Sequence, residues 1–199
     1  MEGKDKKELL ERYSARYRVH GNSPLTLGWD KGKQDIRFDV LTSVYDLKGK
    51  TILDVGCGFG DLIPVISEKS GGDFNYIGID LVPELIIEAK KNFNHDHITF
   101  IQGDFLEEVN KFNVDYVIGS GIFNHKLNDG REREVIRATV KAALKIAKEG
   151  VSFDFLSDKV DYQHEHTFHS SPEDILSLGY NLSRNILLRN DYMPFEFSL

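Results

Sequence analysis

Asp54 stands two residues before three alternating glycines, Gly56, Gly58 and Gly60, in Thr51-Ile-Leu-Asp-Val-Gly-Cys-Gly-Phe-Gly-Asp61. Glycines at that spacing let backbone turn tightly and approach a small ligand with no Cβ in the way. An acid beside such a loop is out of place if the ligand is a pyrophosphate. It suits a ligand with positive charge, as an aminoacyl sulfonium has. Polar residues recur where later hydrophobic runs end: Asp80 after Tyr76-Ile-Gly-Ile, Asp104 after Gln102-Gly, and Ser120 after Val114-Asp-Tyr-Val-Ile-Gly. A carboxylate holds a diol well, because it accepts two hydrogen bonds. His125 follows Ser120 closely, and His164, His166 and His169 cluster in Asp161-Tyr-Gln-His-Glu-His-Thr-Phe-His169. An imidazole near pH 7 can take a proton in catalysis. Zinc would also accept imidazoles, with Glu165 or Asp161 completing a site. The spacing matches no metal motif, so no metal is assigned and a general base is favoured, His125 or one of the cluster.

Rigid elements must position these groups, and the hydrophobic pattern supplies them. Thr51 to Val55, Phe74 to Ile79, Ile98 to Gln102, Val114 to Gly119 and Gly150 to Phe155 read as strands. Between them, Leu62 to Ser70, Pro83 to Phe93 and Arg131 to Lys148 carry apolar residues at helical spacing. Such alternation predicts a parallel sheet with helices on both faces. Strand ends in that sheet converge on one crevice, so Asp54, Asp80, Asp104 and Ser120 can line a single cleft. Ahead of the core, residues 5–18 read as a helix with Leu9, Leu10, Tyr13 and Tyr17 on one face. Leu25 to Gly32 reads as a loop holding the only tryptophan, Trp29, and Lys33 to Leu47 as a second helix. Arg12, Arg16 and Arg18 are offset by neighbouring acids, which favours a solvated helix face. Arg37 is likewise read as facing solvent rather than a ligand carboxylate. Near the C-terminus, Ser171 and Pro172 open a short helix. Arg184 to Arg189 and Phe195 to Leu199 then read as an antiparallel strand pair, because so short a link allows nothing else. The sequence ends inside the last strand, so a residue or two of sheet is expected beyond Leu199.

With 199 residues, 40% hydrophobic and 29% charged, the chain is expected to fold as one domain. A formal charge of −7 argues against nucleic-acid binding, which rewards a basic footprint. The single cysteine, Cys57, excludes a disulfide framework and favours a cytoplasmic, reducing location. Residues 1–18 are charged throughout, so no signal peptide is expected, and no apolar run approaches the ~20 residues of a membrane helix. Cys57 reads as a small space-filler inside the glycine loop, since no cysteine-nucleophile motif surrounds it.

Taken in order, these motifs resemble those of class I S-adenosylmethionine-dependent methyltransferases, over residues 33–199. The resemblance implies an α/β, Rossmann-like, seven-stranded, mostly parallel sheet in the order 3-2-1-4-5-7-6. Its last strand would be antiparallel, with helices on both faces and an N-terminal helical extension. Residues 1–48 would form a lid or substrate segment, and residues 49–199 the cofactor-binding core. The cofactor implied is S-adenosyl-L-methionine, with S-adenosyl-L-homocysteine as product. Asp54, Gly56, Cys57 and Gly58 would meet its methionyl part, Asp80 the ribose hydroxyls and Asp104 the adenine amine. Leu81 and Phe105 could sandwich the adenine, and Ser120 would stand beside the reacting methyl. Trp29 could cover the cleft or simply pack. His125 follows strand four, where acceptors enter in relatives, and is the catalytic candidate.

A nicotinamide dinucleotide site also combines a glycine loop with an acid about twenty residues on. Its third glycine would fall at position 61, which is Asp61, a charge that repels pyrophosphate. The acceptor is less determined. After strand four stands Ser120-Gly-Ile-Phe-Asn124, not the Pro-Pro-Tyr element of amino methylation of adenine or glutamine. No Pro-Cys pair is present for cytosine chemistry. A small organic acceptor is the remaining expectation, with no nucleic-acid or membrane partner. A cofactor-binding module without transfer, and aminopropyl transfer, remain as alternatives.

Overall fold

The computed structural model describes residues 3–28 and 33–199. Three helices precede the sheet: α1 (Gly3–His20), α2 (Pro24–Leu27) and α3 (Gln34–Thr42). The core then alternates as β1 (Lys50–Val55), α4 (Ile63–Ser70), β2 (Phe74–Asp80), α5 (Pro83–Asn92) and β3 (Ile98–Gln102). It continues with α6 (Phe105–Glu108), a 3-10 turn, β4 (Val114–Gly119), α7 (Glu132–Ile146), β5 (Ala147–Leu156), α8 (Pro172–Leu182) and β6 (Glu196–Ser198). The sheet order is β3-β2-β1-β4-β5-β6, with only the β5–β6 pair antiparallel. Succession runs outward in opposite directions from β1 and β4, so the crevice for a ligand lies at their carboxyl ends.

Period-two alternation explains why both faces are covered. On β1, Ile52 packs with Phe38, Leu41, Ile66, Ile86 and Ala89 from α3, α4 and α5. Its neighbour Leu53 packs on the opposite face with Ile136, Val140 and Ala143 of α7. Both side chains are fully buried. Burial on that scale stabilises by about 1.5–3 kcal/mol per large apolar side chain, which makes β1 the anchor of the glycine loop that follows it.

Three expectations are corrected. First, the sheet has six strands, not seven. The segment expected as a strand from Arg184 to Arg189 forms one bridge, in which Arg189 and Ser198 exchange two backbone hydrogen bonds of 3.0 and 2.8 Å. Two causes are visible. The partner strand β6 is three residues long. The Ser183 hydroxyl accepts from the Asn185 amide at 3.2 Å, a local turn that competes with the ladder. Second, the loop expected from Leu25 contains α2, started by Pro24 behind a Ser23 cap. Third, α7 ends at Ile146 and β5 begins at once at Ala147, earlier than the expected Gly150.

Candidate functional site

A cavity of about 780 Å³ opens at the carboxyl ends of the parallel strands. It gathers Asp54, Gly56, Cys57, Gly58, Asp80 and Leu81. Asp104, Phe105, Ser120 and His125 line it as well. Trp29 lies outside the described residues.

The glycine loop is locked from below. The amides of Gly56 and Cys57 both donate to the Ile79 carbonyl on β2, at 2.8 and 3.2 Å. Gly56 has φ +73°, and a Cβ there would lie 2.4 Å from Ile122 Cγ2. Both the dihedral and the space therefore require glycine. Cys57 is buried, with its sulfur over the bare backbone of Gly78, and burial raises its thiol pKa well above the ordinary value. It fills space and carries no thiolate.

Asp80 does two jobs at the end of β2. Its Oδ2 accepts from the Gly58 amide at 3.0 Å, and its Oδ1 from the Val82 amide at 2.9 Å. A carboxylate has about four acceptor sites, so beside these amides and that of Leu81 it keeps capacity for a ligand hydroxyl. Asp54 is 4% exposed, and the Tyr76 hydroxyl donates to its Oδ2 at 2.7 Å. Burial outweighs that hydrogen bond and pushes the carboxyl up to about 7 from 3.8. Asp104 caps α6, accepting from the Leu106 amide at 3.0 Å, while its Oδ2 meets Lys6 Nζ of α1 at 3.3 Å.

Ser120 is held from β5. Its hydroxyl donates to Asp154 Oδ2 at 2.6 Å, and the Gly121 amide donates to Oδ1 at 2.6 Å. Asp154 in turn lies 3.7 Å from Arg37 Nε, and Arg37 makes a two-pronged pair with Glu196 on β6. Arg37 is 3% exposed, which corrects the solvent-facing expectation. Its sequence signal was absent, because Glu196 and Asp154 lie far from it along the chain.

His125 follows β4 and bridges in antiparallel fashion to Thr167, which brings the histidine loop to the same cavity. Its Nδ1 lies 3.5 Å from Arg12 Nη1. Burial, then the Arg12 charge, lower its pKa below 6.5, so the ring is neutral near pH 7. His164, His166 and His169 line the cavity too, with His169 Nδ1 donating to the Ser157 carbonyl at 2.7 Å. Among the described residues, no group of three His, Cys, Asp or Glu side chains is placed to hold a metal ion.

Residues 1–48 were expected as a lid, but sequence reasoning missed which side chains of α1 and α2 reach the cavity. Arg12, Tyr13 and Arg16 are half-buried and line the cavity rather than forming a solvated face. The Leu27 side chain sits 3.2 Å from where a Gly58 Cβ would be, directly over the glycine loop. Tyr13 was visible on the apolar face of the helix. What that face would meet was not, because the link to the core carries no pattern.

Residues 46–167 match a family model described as a methyltransferase domain. No curated protein matches the sequence. Magnesium protoporphyrin IX methyltransferase (ChlM) from Synechocystis PCC 6803 with bound SAH is similar in structure, with a TM-score of 0.71 and 15% identity. That match covers 98% of this chain and 97% of the other. A DhpI-SAH complex gives a TM-score of 0.71 at 18% identity, over 98% and 94% of the two chains. Human N-acetylserotonin methyltransferase in complex with SAM gives 0.67 at 16% identity, over 94% of this chain and 57% of the other. At these identities the likeness to the solved structures is one of fold. No helix among the described residues is long and apolar enough to cross a membrane.

Proposed function

The chain belongs to the methyltransferase-domain family, and from that premise we propose that it moves the methyl group of S-adenosyl-L-methionine to a small organic acceptor. The observation that carries this reading is the convergence of Asp54, Asp80 and Asp104 on one cavity beside an open glycine loop. The residues fit the cofactor. The free acceptor sites on Asp80 suit a ribose diol. A cation beside Asp54 would return its raised carboxyl to the ionised form. Leu81 and the buried Phe105 give apolar surface next to Asp80 and Asp104, as an adenine requires. Gly56, Cys57 and Gly58 would face the methionyl part, with Ser120 beside the methyl. Neighbours of the same fold with SAM or SAH bound support the assignment.

When bound, the cofactor supplies an electrophilic methyl; the acceptor's lone pair takes it, and the carbon–sulfur electron pair stays on sulfur. The chain's own contribution is alignment and exclusion of water. Residues 1–48 act as the lid and residues 49–199 as the core, together one domain. Support comes from α1 and α2: Lys6 meets Asp104, Tyr17 donates to Glu88 at 2.8 Å, and Leu27 covers the loop. An acceptor that carries a proton gives it to His125, neutral and therefore able to receive it. A cytoplasmic setting suits a chain whose one cysteine is a buried free thiol.

The decisive experiment follows tritium from methyl-labelled cofactor into a metabolite extract. Transfer to a small molecule is expected. Tight cofactor binding with no transfer across broad acceptor panels would instead make the protein a binding module.

Asp80→Ala is expected to weaken S-adenosylhomocysteine binding by about 1–3 kcal/mol, roughly 5–150-fold, by calorimetry. Unchanged affinity in a folded variant would remove Asp80 from the ribose role. Asp54 gives a pH dependence. The ligand cation favours the ionised carboxylate, so binding below the raised pKa must first release a proton. Affinity for S-adenosylmethionine is therefore expected to rise between pH 5 and pH 7, by up to about tenfold per unit, and to level off above about 7. Asp54→Asn should flatten the profile. A flat wild-type profile would show that Asp54 does not face the cation.

A further inference from the structure

Apart from Lys33 and the buried Arg37–Glu196 pair, the ionisable groups of the cavity lining fall into two sets. One part holds Asp54, Asp80 and Asp104 at the strand ends. The other holds Arg12 and Arg16 from α1, His125 after β4, and the exposed rim residues His164 and His166 after β5. Tyr13 lies within electrostatic range of both arginines and of Asp80. In a chain of net charge −7, the two guanidiniums of that wall stand against the overall sign.

The two guanidiniums are not neutralised by neighbours, and the rings of His125 and His166 are held neutral beside them. Among the described residues, Arg12 makes no ion pair, and its hydrogen-bond partner is His125 Nδ1. Arg16 donates from Nε and Nη2 to the Leu25 carbonyl, which fixes its direction without cancelling its charge. The acids that act on the two rings are Asp5 and Glu8 for His125 and Glu165 for His166. None of the three lines the cavity. Asp5 and Glu8 both accept from Asn128. Arg12, Arg16 and His164 all bear on His166, so the five groups act as one cluster.

Resting on the methyltransferase reading of this same cavity, we infer that the acceptor is an anion, a small organic acid whose oxyanion is clamped by Arg12 and Arg16 with His125 and His166 beside it. A guanidinium fork in a half-buried wall matches carboxylate and phosphoryl oxygens in both geometry and charge. The division of the cavity then sorts the two ligands: the cationic cofactor to the aspartates, the anionic acceptor to the arginines. The Arg12–His125 contact links recognition to chemistry. Arginine only donates, so Nδ1 is the accepting nitrogen. When Arg12 turns to the acceptor's anion, that lone pair is released for a proton.

The test is an NMR titration of the labelled full-length chain, free and loaded with S-adenosylhomocysteine, using acetate and methylphosphonate at constant ionic strength. Saturable shifts are expected at the Arg12 side chain and at the His125 and His166 rings. Whichever anion saturates at lower concentration identifies the head group as carboxylate or phosphoryl. Arg12→Gln and Arg16→Gln should each raise half-saturation about tenfold, with affinity for S-adenosylhomocysteine held within about twofold because its aspartates are untouched. Linear, unsaturable drift, or saturation indifferent to both substitutions, overturns the inference while leaving the cofactor reading intact. Failure to bind S-adenosylhomocysteine overturns the cofactor reading, and the titration of the free chain still decides the anion site.

Discussion

Replacing Arg37 with methionine is expected to lower stability by about 3–5 kcal/mol, with Tm down by roughly 6–20 °C for a chain of this length. Arg37 joins three elements that are distant in sequence. It stands on α3, pairs through two prongs with Glu196 on β6, and lies 3.7 Å from Asp154 on β5. Glu196 and Asp154 are 2% and 1% exposed. Methionine keeps much of the volume but leaves both carboxylates buried without that cation. Uncompensated buried charge costs more than the pair contributes, so the loss is large even if the intact network adds little net stability. Urea unfolding followed by circular dichroism checks it. A second variant, Arg37→Met with Glu196→Gln, should recover part of the loss, because one of the stranded charges is gone. A single-variant loss below about 1 kcal/mol, the range of exposed ion pairs, would mean that Arg37 is not the counter-charge of this cluster. The consequence reaches function through Asp154, which holds the Ser120 hydroxyl and the Gly121 amide. Cofactor affinity should therefore fall along with stability.

His125→Ala is expected to reduce turnover by about 10²–10⁴-fold, the usual contribution of a positioned acid or base. The acceptor for this assay is the one identified by label transfer. Affinity for S-adenosylhomocysteine should barely move, since the aspartates and the glycine loop are left in place. The wild-type ring is neutral near pH 7, because burial and the Arg12 charge both disfavour its protonation. Turnover should fall as pH drops through the lowered pKa, and this limb should vanish in the variant. If turnover survives the substitution, attention moves to His166 or His169 on the facing loop, or to an acceptor that has no proton to lose. If affinity falls in step with turnover, the ring supports the site rather than the chemistry.

Much of the fold was legible in the residues themselves. The five parallel strands follow from runs such as Thr51 to Val55, where one face meets α7 and the other meets α3 to α5. Ser171 and Pro172 marked a helix start, and the Ser171 hydroxyl does accept from the Asp174 amide at 3.2 Å. The missing seventh strand shows where such reading stops. Arg184 to Arg189 has a strand-like pattern, but pairing depends on a partner, and β6 offers three residues. The partner's length is a tertiary fact.

The candidate site divides in the same way. The sequence alone determined the acids, the glycine loop and their order along the chain. It could do so because each sits at the end of a hydrophobic run, and a parallel sheet brings those ends together whatever the loops do. Only the tertiary structure decided that Arg12 and Arg16 face inward, that Arg37 is buried, and that the histidine loop meets His125. Each of those placements depends on packing between segments far apart in the chain, such as α1 against the strand ends. Local composition around Arg12 and Arg16 is mixed in charge and reads equally well as a solvated surface. A side chain's charge is written in the sequence; the company that determines its effect is assembled only when the chain folds.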